Sequence, residues 1–136
     1  MSRIYLDANS IIYLVEAVNP FHATVAARLL SHRTNPESHI VTSRLSLLEC
    51  RIQPLRNADT RLLAKYTAFF TMERLIISEV TADIIERATD LRVRYNFKTP
   101  DAIHLATAIE EKSDLFLTGD KALARCVEVN VEVLAG

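Results

Sequence analysis

The sequence is poor in residues that break up or cross-link a chain. It contains 2 glycines, 4 prolines and 2 cysteines among 136 residues, and its mean hydropathy is +0.11. This composition excludes low-complexity and disordered proteins, and two cysteines without a C-x-x-C pair exclude a disulfide framework or a cysteine zinc site. Long apolar runs are also missing, because stretches such as residues 11–15 are far too short to cross a membrane. We therefore expect one soluble cytoplasmic domain over residues 1–136, without a secretory signal.

A strong excess of positive charge is absent as well. The 16 basic and 17 acidic side chains give a net charge of −1. Proteins that bind nucleic acid through non-specific phosphate contacts are usually strongly basic. If nucleic acid is the substrate here, the positive charge must be local or must come from bound metal cations.

Strands and helices alternate along the chain. Short apolar runs predict strands at residues 3–6, 39–42, 75–77, 115–117 and 127–134. Capping residues and apolar stripes predict helices from Asn9 or Ser10, over 23–30, from Ser43 to Pro54, from Asp59, from Thr81 and from Thr99-Pro100, with a helical turn at 121–125. This alternation predicts an α/β fold, a three-layer α/β/α sandwich with a central, mostly parallel five-stranded sheet.

Four acidic residues come close to the ends of predicted strands or in the helices that follow them. Asp7 follows the first strand, and Asp120 comes within three residues of the end of the fourth. Asp101 lies in the first turn of the helix opened by Thr99-Pro100, and Glu49 lies inside the helix after the second strand. The ligand crevice of an open parallel sheet lies beyond the carboxyl ends of its strands. We therefore expect these acids to converge there.

Each acid also has a purely structural interpretation. Asp7 and Asp120 could cap the helices that follow them, and Asp101 in a first turn meets the positive end of a helix dipole. Glu49 is the hardest to explain in this way, because its neighbours 45, 47, 48 and 52 are all apolar.

Taken together, the acids indicate a metal site. Carboxylates brought close together repel one another, and no lysine or arginine lies beside all of them in the sequence. Oxygen ligands without cysteine or an obligatory histidine favour Mg²⁺ or Mn²⁺ over zinc. Such a cation polarises a phosphate and supplies a hydroxide nucleophile at neutral pH, which suggests phosphodiester hydrolysis.

Four segments in the same order resemble the PIN-domain nucleases, most closely the VapC toxins of prokaryotic toxin–antitoxin pairs. They are YLDAN at 5–9, TSRLSLLEC at 42–50, TPDAIHLATA at 99–108 and LTGD at 117–120. The resemblance implies a PIN-like fold and an endoribonuclease that depends on Mg²⁺ or Mn²⁺. It also implies a homodimer and a cognate VapB-like antitoxin whose tail blocks the active site.

The resemblance assigns roles to particular residues. Asp7, Glu49 and Asp101 match the central metal-binding acids, and Asp120 matches a fourth, more variable one, which holds a second metal or orients the attacking water. Asn9 matches a small polar position and Thr118 a hydroxyl that helps to order the site. In one departure, Gly119 stands where the family frequently has a polar residue.

Other features are open to two interpretations. Basic residues concentrated between 44 and 65 could hold RNA or form a solvated helix face; they include Arg44, Arg51 and Arg56. The apolar stripe of residues 62, 63, 66, 69 and 70 is expected in the core, although part of it could form a dimer or antitoxin groove. His104 shares a helix face with Asp101 and could touch the site, although we expect it to pack between helices.

Two other functions compete with the nuclease. The segments at Asp7 and Asp120 faintly resemble haloacid-dehalogenase-type phosphatases, in which Asp7 would be the nucleophile, but Asn9 replaces the second acid and Glu49 would have no task. The other alternative is a PIN-like module that binds RNA or a partner without cutting it. The presence of all four acids argues against such a module.

Overall fold

The computed structural model describes residues 2–135. Its strands are β1 (Ser2–Leu6), β2 (Ser38–Ser43), β3 (Leu75–Ser78), β4 (Leu115–Thr118) and β5 (Val131–Val133). Its helices are α1 (Ala8–Val15), α2 (Phe21–His32), α3 (Arg44–Arg56), α4 (Thr60–Phe70), α5 (Ala82–Tyr95) and α6 (Thr99–Glu110), with a 3₁₀ segment at Lys121–Arg125. No helix within residues 2–135 is long and apolar enough to span a membrane.

The five strands form one sheet in the order β3-β2-β1-β4-β5. Every neighbouring pair is parallel, with Tyr5 of β1 opposite Val41 on one side and Phe116 on the other. The predicted α/β/α fold is therefore confirmed, and the sheet is wholly rather than mostly parallel.

The side chains of β1 alternate between two apolar layers, as the period of a strand requires. Ile4 and Leu6 pack in the layer that includes residues of α1 to α4, whereas Tyr5 packs in the layer formed with α5 and α6. Helices thus cover both faces of the sheet. At the carboxyl ends of the strands lies the edge of the sheet that Asp7 and Asp120 follow.

Most boundaries agree with the expected ones to within two residues, and three differences are informative. The last strand covers Val131–Val133 instead of 127–134, because Val127 is 84% exposed and lies outside the sheet. Helix α1 is capped by Asp7, whose side chain accepts from the backbone N–H of Ser10, and not by Asn9 or Ser10. Helix α3 runs through Pro54 to its last turn, where a missing N–H removes only one hydrogen bond.

Candidate active site at the carboxyl edge of the sheet

Asp7 is the acid at the end of the central strand. It is 6% exposed, and its Oδ1 accepts from Ser10 N at 2.9 Å. The Ser10 hydroxyl in turn donates to the Leu117 carbonyl at 2.9 Å, which fastens the start of α1 to β4. Among the residues described, none donates a hydrogen bond to Asp7 Oδ2. Asp7 is therefore a helix cap that keeps one carboxylate oxygen free.

Glu49 on α3 faces α6. Its Oε1 lies 2.7 Å from His104 Nε2, and the side chain of Glu49 is 29% exposed. The other ring nitrogen of His104 lies 2.6 Å from the Tyr5 hydroxyl of β1. His104, which we expected to pack between helices, thus contacts Glu49, a predicted site residue. The signal available in the sequence was its position three residues after Asp101.

Asp120 is exposed and follows β4 through Gly119. Its Oδ1 accepts from Ala122 N at 2.9 Å and so caps the 3₁₀ segment, while its own N–H donates to Thr118 Oγ1 at 3.1 Å. Thr118 is fully buried, which makes it a fixed support for the backbone of Asp120. Asn9, the other supporting residue expected from the sequence, is exposed at the start of α1.

Asp101, half-buried in the first turn of α6, has a pKa that the charges of the other three acids affect. Its pKa is raised, first by burial and then by the negative charge of Asp120, with further contributions from Asp7 and Glu49, while His104 acts in the opposite direction. Charges on neighbouring carboxylates raise the pKa of an acid in this way. The other three predicted acids thus all influence Asp101.

The four acids do not form a ready-made metal cage. Within residues 2–135, no three histidine, cysteine or acidic side chains stand close enough together to hold a metal ion as they are. No arginine or lysine of this part of the chain forms an ion pair with any of the four. The site thus offers carboxylate oxygen donors that no lysine or arginine of the described residues pairs with, which suits a hard divalent cation.

Gly119 has a steric reason for lacking a side chain. A Cβ built at this position would lie 3.0 Å from the Tyr13 hydroxyl and 3.1 Å from Tyr13 Cε2. Tyr13 belongs to α1, and its ring stacks on Phe21 at 4.5 Å. The departure noted in the sequence therefore coincides with a tyrosine that lies over the backbone beside Asp120.

The predicted RNA-binding arginines differ in what they contact. Arg44 pairs with Glu79 at 2.6 Å, and both side chains are largely exposed. Arg51 donates to the Leu47 carbonyl of its own helix at 2.9 Å, and Arg56 is exposed in the last turn. Arg44 is therefore the one of the three that an acidic side chain already engages.

The apolar stripe of α4 belongs to the core, as expected from its period. Tyr66, Phe69 and Phe70 are buried in the layer on the α1 side of the sheet. Exposed large apolar side chains occur on several elements, and those on α3, the helix that carries Glu49, are Leu48, Ile52 and Leu55, with exposures of 55%, 38% and 62%. A groove for a partner is therefore a better fit to α3 than to α4.

Comparison with protein families gives a match over almost the whole chain. The PIN domain model matches residues 4–128. The chain belongs to the PIN-domain family. This membership confirms the resemblance seen in the sequence and disfavours the phosphatase alternative. No curated protein sequence is significantly similar to this PIN domain.

Solved structures with the same fold include several toxins. VapBC2 from Rickettsia felis, bound to a DNA fragment from their promoter, has a TM-score of 0.80 at 18% identity, covering 98% of this chain and 99% of that one. VapC20 from Mycobacterium tuberculosis, which cleaves the sarcin–ricin loop, has a TM-score of 0.69 at 25% identity, covering 93% and 98%. A toxin–antitoxin complex from Klebsiella pneumoniae has a TM-score of 0.68 at 24% identity, covering 93% and 94%. This PIN domain is thus similar in fold to VapC-type toxins.

Proposed function

We propose that this PIN domain is a metal-dependent endoribonuclease and the toxin of a VapBC-like toxin–antitoxin pair in the cytoplasm. The observation that carries the proposal is the convergence of four acids from four separate elements at the carboxyl edge of a PIN-fold sheet. The raised pKa of Asp101, caused first by burial and then in part by the charges of Asp120, Asp7 and Glu49, supports that convergence. A surplus of negative charge that no lysine or arginine of the described residues pairs with favours binding of a divalent metal.

The donor set fits Mg²⁺ or Mn²⁺. Asp7, Glu49 and Asp101 would hold the cation, and Asp120 would hold a second one or orient the attacking water. A bound divalent cation supplies Lewis-acid polarisation of the scissile phosphate and activation of water. The protein contributes the fixed frame, because Asp7 is locked by Ser10 N and the backbone of Asp120 is locked by Thr118. Asn9 lies exposed beside Asp7, where its amide can contact the substrate.

The RNA would be held by local basic side chains, since the chain as a whole carries a net charge of −1. Arg51 and Arg56 on α3 are exposed and form no ion pair within the part of the chain that the structure describes. On α3, Arg56 lies about two turns after Glu49 on the same face, so a phosphate bound by it would lie on the side of the acids, whereas Arg51 lies on roughly the opposite face. Arg44 would contribute only by exchanging Glu79 for a phosphate.

The antitoxin and a second copy of the chain are the proposed protein partners. Leu48, Ile52 and Leu55 recur at helical spacing on α3 and remain exposed, as in a face that receives an apolar helix. Their helix also carries Glu49, so a partner bound there would lie beside the site. Co-expression with the neighbouring open reading frame and pull-down tests this. Recovery of the chain with no small partner protein would count against the pairing.

Cleavage of a labelled single-stranded RNA by the purified chain tests the nuclease. We expect cleavage with Mn²⁺, none with EDTA and none with Asp101→Asn. Asp83→Asn is the matched control, because Asp83 also lies in the first turn of a helix, α5, but is exposed and is not among the charges that shift the pKa of Asp101. Retained activity in Asp101→Asn, or cleavage in EDTA, would contradict the proposal.

One observation favours a second function, a PIN module that binds without cutting. No preformed group of three metal ligands exists within residues 2–135. Calorimetric titration with Mn²⁺ separates the two functions, because the nuclease requires binding that Asp101→Asn abolishes. Absence of Mn²⁺ binding in the wild-type chain would make the non-catalytic module the leading account.

A further inference from the structure

A chain of hydrogen bonds runs from the crevice into the core. Glu49 Oε1 lies 2.7 Å from His104 Nε2, and His104 Nδ1 lies 2.6 Å from the Tyr5 hydroxyl. His104 is 2% exposed and Tyr5 is fully buried, whereas Glu49 reaches solvent. The three residues come from α3, α6 and β1, so the contact forms only in the folded protein.

The chemistry of Glu49 and His104 fixes the direction of the first bond. An ionised carboxylate accepts only, so Nε2 of His104 must donate to Glu49. The second bond joins Nδ1 to the Tyr5 hydroxyl, which donates to a neutral ring and accepts from a charged one. The Tyr5 ring is itself held by stacking on Phe116 at 5.0 Å.

Glu49 depends on this chain for its orientation. A glutamate has three side-chain torsions, and within residues 2–135 its carboxylate has no hydrogen-bond or ion-pair partner other than His104. The bond holds Oε1 and leaves Oε2 free for another ligand. Partners that orient a metal-binding carboxylate typically change metal affinity or activity by about 10-fold to 100-fold when they are removed.

We propose that His104 is the positioning residue of this site, with Tyr5 fixing its ring so that Nε2 holds the Glu49 carboxylate in place for the divalent cation. This inference rests on the proposed function, in which Glu49 is a metal ligand. His104 does not contact the substrate or the cation. It acts through Glu49, and Tyr5 acts through His104.

Two substitutions at the same position separate positioning from packing. In His104→Gln the amide nitrogen takes the place of Nε2 and can donate to Glu49, whereas in His104→Asn the shorter amide takes the place of Nδ1 and leaves Glu49 without a partner. By calorimetry, we expect Mn²⁺ binding within about threefold of wild type for His104→Gln and about 10-fold to 100-fold weaker for His104→Asn. Tyr5→Phe keeps the ring and loses the hydroxyl, so we expect an intermediate loss.

Further measurements keep the outcomes distinct. Thermal unfolding followed by circular dichroism identifies variants that fold, and if His104→Asn does not fold, Tyr5→Phe and His104→Gln carry the test. His39→Asn on β2 is the control, because His39 lies in the amino-terminal part of its strand, away from the carboxyl edge where the acids collect, and should bind Mn²⁺ like the wild type.

Equal Mn²⁺ affinity in wild type, His104→Asn and Tyr5→Phe would overturn the positioning role and leave the metal-dependent function intact. Equal losses in the Gln and Asn variants would also overturn it, since a packing role does not distinguish the two amides. If the wild-type chain binds no Mn²⁺, the proposed function fails, and the positioning role is overturned with it.

Discussion

Asp7 caps a helix and is also a proposed metal ligand, and different substitutions can separate these two roles. Its Oδ1 caps α1 by accepting from Ser10 N at 2.9 Å, and its other oxygen is free for a metal. Asparagine caps a helix about as well as aspartate, whereas loss of the cap costs about 1 kcal/mol. For a chain of 136 residues, that cost corresponds to a fall in Tm of about 3 °C. Asp7→Ala should therefore lose about 3 °C in EDTA, and Asp7→Asn should lose almost nothing.

Metal binding should distinguish the two variants less than the cap does, because both substitutions remove the proposed ligand. A cation present at 100 times its Kd stabilises the folded state by about 2.7 kcal/mol, or about 9 °C here. We expect Mg²⁺ to raise the Tm of the wild-type chain by this amount and to leave both Asp7 variants almost unchanged. The assay is thermal unfolding by circular dichroism in EDTA and in Mg²⁺. A full Mg²⁺ shift in Asp7→Asn would refute its role as a ligand, and a 3 °C fall in EDTA for the same variant would refute the cap.

Three further predictions follow from the neighbouring residues. Gly119→Ala places a Cβ 3.0 Å from the Tyr13 hydroxyl, so we expect the free energy of unfolding, measured in urea, to fall by about 1 kcal/mol. An equal fall in a Tyr13→Ala background would contradict the clash. Burial and the charge of Asp120 raise the pKa of Asp101, so the metal-free protein should lose stability as pH rises from the ordinary aspartate range through that raised value. Asp101→Asn should remove this loss in urea unfolding with EDTA, and identical pH profiles would show that Asp101 is not its source. Replacing Arg51 and Arg56 by alanine should weaken binding of single-stranded RNA and reduce its salt slope by about 1.4 in fluorescence anisotropy, whereas an unchanged slope would place the RNA elsewhere.

Local signals in the sequence were sufficient for most of the fold. Short apolar runs located the first four strands. Ser43 and Thr81 cap α3 and α5, as their positions in the sequence predicted. The predicted bounds of the last strand were wrong. Residues 127–134 alternate with the period of a strand, whereas β5 covers only Val131–Val133. Its limits depend on which residues reach β4, and that is a long-range property.

The position of the acids was predictable for a similar reason. Each one comes after a strand or in the helix that follows it, and a parallel sheet gathers such residues at one edge. The contact between His104 and Glu49 was not predictable, because it depends on how α3 and α6 lie relative to each other across β1. The sequence places His104 on the same helix face as Asp101, but it contains no signal for what that face meets.

For two of the acids the structural interpretation is confirmed, and it is compatible with the functional role that we propose for them. Asp7 caps α1, and Asp120 caps the 3₁₀ segment. A capping role therefore cannot be used to dismiss a candidate ligand, because the cap fixes one carboxylate oxygen and leaves the other available. The discriminating observation is collective: the charges of the other three acids help to raise the pKa of Asp101. Such mutual influence is what the proposed shared cation would offset.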